Sequence, residues 1–293
     1  MTERATTPNE QLHGRTMVIT GSTDGIGRAA ALALVRRGAR VIVMGRDPRR
    51  TADVAAELGA EGRSAGGVAE PLAGDLGSLA EVRRVAAELT ARCPRLDVLV
   101  HNAGAIFWSH GETVDGHERT LALNHLAPFL LTSLLEPRLR ATAGARVVVV
   151  SSRMHRRADV GYLDDLESRR GYSALRAYAA SKLMNLHFTF ELARRLAGSG
   201  VTANAVHPGL VRSSFGLAGG GLGPVGFALL TRLFGRTPEE GARTPVHVAT
   251  AAGLAGVTGR FFGNEREQQP SAAALDRAAW GRLWAESERL VGA

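Results

Sequence analysis

Short runs of consecutive apolar residues punctuate the chain up to Val150, at Thr16 to Thr20, Val41 to Met44, Val98 to Val100 and Val147 to Val150. They are rich in Val and Ile and do not alternate with polar residues, the pattern of strands buried on both faces of a parallel sheet. Other segments place Leu, Val and Ala at intervals of three and four: Arg28 to Arg37, Arg49 to Leu58, Leu79 to Ala91, Leu126 to Leu139 and Ala177 to Leu196. That spacing predicts helices carrying one apolar stripe. Alternation of the two predicts an α/β fold, a doubly wound parallel sheet with helices on both faces, joined by right-handed crossovers.

No internal repeat or Pro/Ser-rich linker divides the chain, so residues 14–293 are read as one domain. The 13 residues from Met1 to His13 are polar, lack the apolar run of a signal peptide, and predict a disordered tail. Leu222 to Phe234 is the longest apolar stretch, but Gly223, Pro224, Gly226 and Arg232 interrupt it. It falls short of the roughly 18 apolar residues that indicate a membrane span. Six glycines between Gly216 and Gly226 predict a mobile excursion, with 216–234 expected as a lid over substrate. Its apolar Leu217, Leu222, Val225, Phe227, Leu229 and Leu230 would either cover a lipophilic substrate or pack on the core.

The chain has 293 residues, 36 of them basic and 28 acidic, for a formal charge of +8. Every basic residue but Lys182 is arginine, and the arginines are interleaved with Asp and Glu rather than gathered into a run. That is a solvated surface, not a nucleic-acid footprint. The one cysteine, Cys93, excludes an intramolecular disulfide and a cysteine metal cluster, and fits a reducing, cytoplasmic setting. The scattered histidines show no metal-ligand pairing, so no metal site is expected.

Directly after the first strand comes Gly21-Ser22-Thr23-Asp24-Gly25-Ile26-Gly27. Gly21 permits a tight strand-to-helix turn, Gly25 removes a Cβ from the path of a pyrophosphate, and Gly27 allows close packing where free helix N–H groups attract anions. The second strand ends Gly45-Arg46-Asp47. An arginine here suits the 2′-phosphate of NADP, which a carboxylate would repel. NADP is therefore favoured over NAD, although Asp47 could instead bind a ribose diol.

Tyr178-Ala179-Ala180-Ser181-Lys182 opens a helix and puts the phenol and the ammonium on one face. Bringing a phenol from near 10 to neutrality requires about three pH units, roughly 4 kcal/mol. A neighbouring ammonium supplies the right sign of field. That the sole lysine of an arginine-rich chain stands here sharpens an otherwise common spacing, because a compact ammonium and a planar guanidinium do not fit the same small site.

These residues together resemble the short-chain dehydrogenase/reductase family. The resemblance covers the glycine loop at Gly21, Gly25 and Gly27, the Asp75-Leu76 pair that lies against adenine in the family, Asn102-Ala103-Gly104 after the fourth strand, and Asn124 in the following helix. It continues through Ser152, Tyr178 and Lys182 to Pro208-Gly209, Val211 and Ser213, in the segment that holds the nicotinamide, and spans about Gly14 to Gly292. Leu123-Asn124-His125-Leu126, Ser151-Ser152-Arg153-Met154-His155 and Val206-His207-Pro208-Gly209 are most similar to the retinol dehydrogenase and WW-domain oxidoreductase branch.

The resemblance implies a Rossmann-type fold and an NADP-dependent oxidoreductase interconverting a carbonyl and an alcohol on a lipophilic small molecule. Ser152 would donate a hydrogen bond to the substrate oxygen and Tyr178 would move its proton. Lys182 would lower the phenol pKa and bind the nicotinamide ribose, while Asn124 would help hold a water chain. Family members often form homodimers or homotetramers. The alternatives are an NAD-preferring dehydrogenase of the same family and a cofactor-binding scaffold without turnover.

His101 stands where the family usually has Asn and is read as a structural, hydrogen-bonded histidine at a strand end. Ser151 is the candidate strand-end hydrogen bonder, and would replace Ser152 if the correspondence slips by one. Between Ser152 and Tyr178, the basic Arg153, His155, Arg156 and Arg157 are expected to be neutralised by Asp159, Asp164, Asp165 and Glu167 on a solvated loop that helps shape the pocket.

Overall fold

The computed structural model describes residues 11–212, 231–232 and 235–292. Each apolar run forms a strand: β1 (Thr16–Ile19), β2 (Arg40–Gly45), β4 (Val98–His101) and β5 (Arg146–Val150). Four further strands escape the hydrophobic pattern: β3 (Val68–Ala73), β6 (Thr202–His207), β7 (Phe261–Gly263) and β8 (Arg266–Glu267). β3 lies at the sheet edge, where Pro71 and Glu70 are tolerated. β6 is wholly buried yet reads Thr-Ala-Asn-Ala-Val-His. Its Asn204 is satisfied by Val257 O and Arg260 N at 2.7 and 3.0 Å, so a polar residue sits inside the sheet without an orphaned group.

The strand order is β3-β2-β1-β4-β5-β6-β7-β8, parallel except for the final antiparallel β7–β8 pair. This is the expected doubly wound α/β sheet, with an antiparallel edge added. Side chains alternate between its faces. Met17, Ile19, Val41, Val98 and Val148 pack under α1 (Gly25–Val35), α2 (Pro48–Gly62) and α7 (Pro238–Thr250). Val18, Ile42, Leu99, Val147 and Val149 pack under α3 (Leu79–Arg92), α5 (Ala127–Arg140), α6 (Ala174–Arg195) and α8 (Arg277–Val291).

The helix expected from Leu126 begins earlier, as a short α4 (Arg119–Leu121). The Glu118 carboxylate accepts from Thr120 N and Leu121 N, and a π-helical turn, Ala122–Leu126, leads into α5. Such one-turn widenings occur often at functional sites, and this one contains Asn124.

Leu12, expected in the disordered tail, is instead buried in the core, and its N–H donates to Arg37 O at 2.7 Å. One apolar residue in a polar run gives no periodic signal. The lid expected over 216–234 lies outside the described residues except for Thr231 and Arg232. Among the described residues no helix is long and apolar enough to cross a membrane.

Candidate active site

The strands of a doubly wound sheet end along one crevice, where the chain order reverses. Here the crevice is a cleft of about 660 Å³ lined from the loops after β1, β2, β3, β4, β5 and β6. Gly21 has a φ of +65°, and a Cβ there would stand 2.9 Å from Ala103 Cα. A Cβ on Gly27 would lie 2.3 Å from Gly21 O and 2.4 Å from Asn102 Nδ2, so α1 can begin hard against the loop only with glycine. The Asn102 amide clamps the loop, donating to Thr20 O and Gly21 O at 2.9 and 3.0 Å. Asp24 caps α1, its carboxylate accepting from Gly25 N at 2.7 Å.

Gly21, Thr23, Asp24, Gly25, Ile26 and Gly27 line the cleft, as do Arg46, Asp75, Leu76, Asn102, Ala103, Gly104, Pro208, Gly209 and Val211. Ser22 does not. It is wholly buried, its hydroxyl donating to Ile19 O at 2.7 Å and accepting from Met44 N at 2.8 Å, which ties β1 to β2. Ser22 therefore supports the loop from behind rather than facing a cofactor. Ser213 lies outside the described residues.

At the rim Arg46 is exposed beside Arg50, which the sequence did not single out among so many arginines. The Arg50 guanidinium stands 3.5 Å from the Asp24 carboxylate and 3.4 Å from Thr23 O. Asp47, the alternative ribose binder, caps α2 instead, its carboxylate accepting from Arg50 N at 2.8 Å.

At the inner end, α6 delivers Tyr178 and Lys182 to the tip of β5. Lys182 Nζ donates to Val150 O at 3.0 Å and stands 5.5 Å from the centre of the Tyr178 ring. Ser151 Oγ donates to Lys182 O at 2.7 Å, fixing strand to helix, and leaves Ser152 to hydrogen-bond the Tyr178 phenol. Asn124 does not line the cleft. Its Oδ1 accepts from Ala105 N, and its Nδ2 donates to Ala105 O and Ser181 Oγ, joining the β4 loop to α6 beside the lysine.

Burial dominates the electrostatics. It pushes the Tyr178 phenol well above its ordinary value, against the Ser152 hydrogen bond, and holds Lys182 down to about 8. The lowering of the phenol expected from the ammonium does not appear: burial sets the rise, opposed only by the Ser152 hydrogen bond. His101 is structural, as expected: Nε2 meets Thr132 Oγ1 at 2.7 Å, and burial lowers its pKa to about 3.

Ile106, Leu123, Met154, Leu175 and Leu210 give the cleft an apolar wall that the spacing of motifs did not reveal. The insertion folds differently from expectation. Among the described residues its acids pair elsewhere, Asp164 with Arg282 and Glu167 with His117, and His155 is buried rather than solvated.

A doubly wound sheet with a cleft closing on a half-buried serine and a buried Tyr–Lys pair is the architecture of a nicotinamide-dependent oxidoreductase. The family pattern "short chain dehydrogenase" matches residues 15–217. Human retinol dehydrogenase 14 is 41% identical over 298 aligned positions, covering 96% of this chain and 87% of that protein. A protein of known structure from Mycobacterium paratuberculosis is 36% identical with a TM-score of 0.76, covering 97% of this chain and 95% of its own. Pseudomonas aeruginosa RhlG, solved with NADP in its active site, is 29% identical with a TM-score of 0.67, covering 88% and 97%. The chain belongs to the short-chain dehydrogenase family, in its retinol dehydrogenase branch, and is an NAD(P)-dependent enzyme acting on CH–OH and C=O groups.

Proposed function

We propose that the enzyme prefers NADP and interconverts a carbonyl and an alcohol on a lipophilic small molecule, with Tyr178 as general acid and base. One observation carries this reading: a single cleft is lined by two exposed guanidiniums, Arg46 and Arg50, by the half-buried Ser152 with the buried Tyr178 and Lys182, and by an apolar wall. A volume of about 660 Å³ is within the range of small-molecule and cofactor sites.

The residues present fit the cofactor. The free N–H groups at the start of α1 suit a pyrophosphate, and Arg46 with Arg50 suits a 2′-phosphate. Asp75 and Leu76 would hold the adenosine end, while Pro208, Gly209 and Val211 would hold the nicotinamide end. When bound, the nicotinamide supplies or accepts the hydride.

The chain does the rest. Ser152 donates to the substrate oxygen and fixes its position, and Tyr178 gives that oxygen a proton or removes one. A phenol held above its ordinary pKa is protonated at neutral pH, the state that carbonyl reduction requires. Lys182 offers its remaining N–H bonds to ribose hydroxyls and stabilises the phenolate as the proton leaves. Asn124 keeps the Ala105 loop and α6 in register around them. The reducing, cytoplasmic setting suggested by the single cysteine belongs to this proposal.

Tyr178→Phe tests it. Removing the proton donor should lower NADPH-driven reduction of a medium-chain aldehyde by about 10²-fold or more, leaving the NADPH Kd within a few fold. Retention of most activity would sink the assignment.

A further inference from the structure

We infer that His155 and His207 are positioning residues that brace the loop after Ser152 and the Pro208–Gly209 turn against one shared strap, Gln268–Ser271. The inference rests on the reaction proposed above, which puts both loops at the reacting centre. Neither imidazole lines the cleft, and both are buried.

The hydrogen bonds fix each ring's tautomer. His155 Nε2 lies 3.2 Å from Ser271 N, which can only donate, so Nε2 is the acceptor. The proton is then on Nδ1, which donates to Ser152 O at 2.6 Å. His207 carries the opposite tautomer. Its Nδ1 accepts from Gly209 N at 3.2 Å, so Nε2 donates to Gln268 Oε1 at 3.0 Å. Burial lowers the pKa of both rings, His155 to about 4, which keeps them neutral.

The strap is held in turn. Gln268 Nε2 donates to Gly263 O at 3.0 Å and Gln268 N to Phe261 O at 2.8 Å, anchoring it to β7. Both imidazoles pack on the Phe261 ring, with centroids 5.2 and 5.4 Å away. The Arg156 guanidinium also bonds Gln269 O. A residue that only filled space would need none of these directed bonds. Their common effect is to set the position of Ser152 relative to the turn across the cleft, where a displacement of about 1 Å can cost 10²-fold in rate.

Hydrogen exchange followed by mass spectrometry tests the brace without any substrate. Gln268→Met removes the strap's contact with His207. We expect faster exchange in peptides covering 152–158 as well as 207–212. Faster exchange confined to 207–212, or none, would overturn the shared strap.

Turnover of a medium-chain aldehyde with NADPH supplies the second arm. His155→Phe keeps the ring and loses both bonds, and should lower kcat about tenfold with the aldehyde KM and the NADPH Kd within about threefold. His155→Asn places an amide N–H where Nδ1 was, so it should recover part of that loss through Ser152 O. Wild-type kcat in His155→Phe, or no rescue by Asn, would overturn the positioning role. If His155→Phe fails to fold, Gln268→Met carries the same comparison, and an unchanged kcat there overturns the role. Failure of the wild-type enzyme itself to reduce aldehydes would count against the proposed function instead, leaving the exchange result to decide the brace.

Discussion

Lys182 condenses the chemistry of this protein at the residue scale. It is the only lysine in the chain, it is buried, and its ammonium is held by a single described hydrogen bond to Val150 O. Burial depresses its pKa from 10.5 to about 8, so between those values the unfolded chain holds a proton that the folded enzyme has released. Stability must then rise with pH across that window, and the full penalty applies below it. Lys182→Met removes this term. The unfolding free energy of wild type relative to Lys182→Met should improve by about 3 kcal/mol from below pH 8 to above pH 10.5, measured by urea denaturation. A difference independent of pH would contradict the buried ammonium. The identity of this residue was legible because it broke the arginine habit of the chain. Its depressed pKa was not, since desolvation depends on what α6 and β5 bring around it.

At the scale of elements, the glycine loop forms the tight strand-to-helix turn that its glycines predict, but each residue's task depends on neighbours distant in sequence. Gly27 faces Gly21 O and Asn102 Nδ2, and Asn102 directly follows the end of β4. Gly27→Ala therefore forces the start of α1 away from the loop, at about 1 to 3 kcal/mol of stability, and should weaken NADPH binding by tenfold or more. Calorimetry on the variant checks this, and wild-type affinity would show that the loop tolerates the added methyl. Ser22 illustrates the opposite case: its place in the motif suggested cofactor contact, while its hydroxyl joins two strands. Helix starts were also hidden. α1 begins at Gly25 and α6 at Ala174, both upstream of where the apolar spacing becomes visible. β6 was missed for a related reason, because its small and polar residues are buried by strands on both sides rather than by their own hydrophobicity.

Across the whole molecule, the β–α alternation was enough to give the doubly wound sheet, since buried parallel strands and striped helices leave few other arrangements. The second half was less legible. α7, β7, β8 and α8 carry weaker patterns, yet Trp284 of α8 packs on Phe129 and Phe188 beneath the sheet, and the Gln268–Ser271 strap reaches both catalytic loops. The cleft itself is assembled from six strand ends, so its apolar wall and the presence of Arg46 and Arg50 in one cleft appear only in the folded chain. Those two guanidiniums at one end and Tyr178 at the other make cofactor choice the central claim. Calorimetric titration of the wild-type enzyme with NADPH and, separately, NADH tests it most directly. NADPH should bind about 10 to 100 times more tightly, a preference of roughly 1.4 to 2.7 kcal/mol. Equal affinity, or tighter binding of NADH, would contradict the reading of Arg46 and Arg50 as the phosphate site.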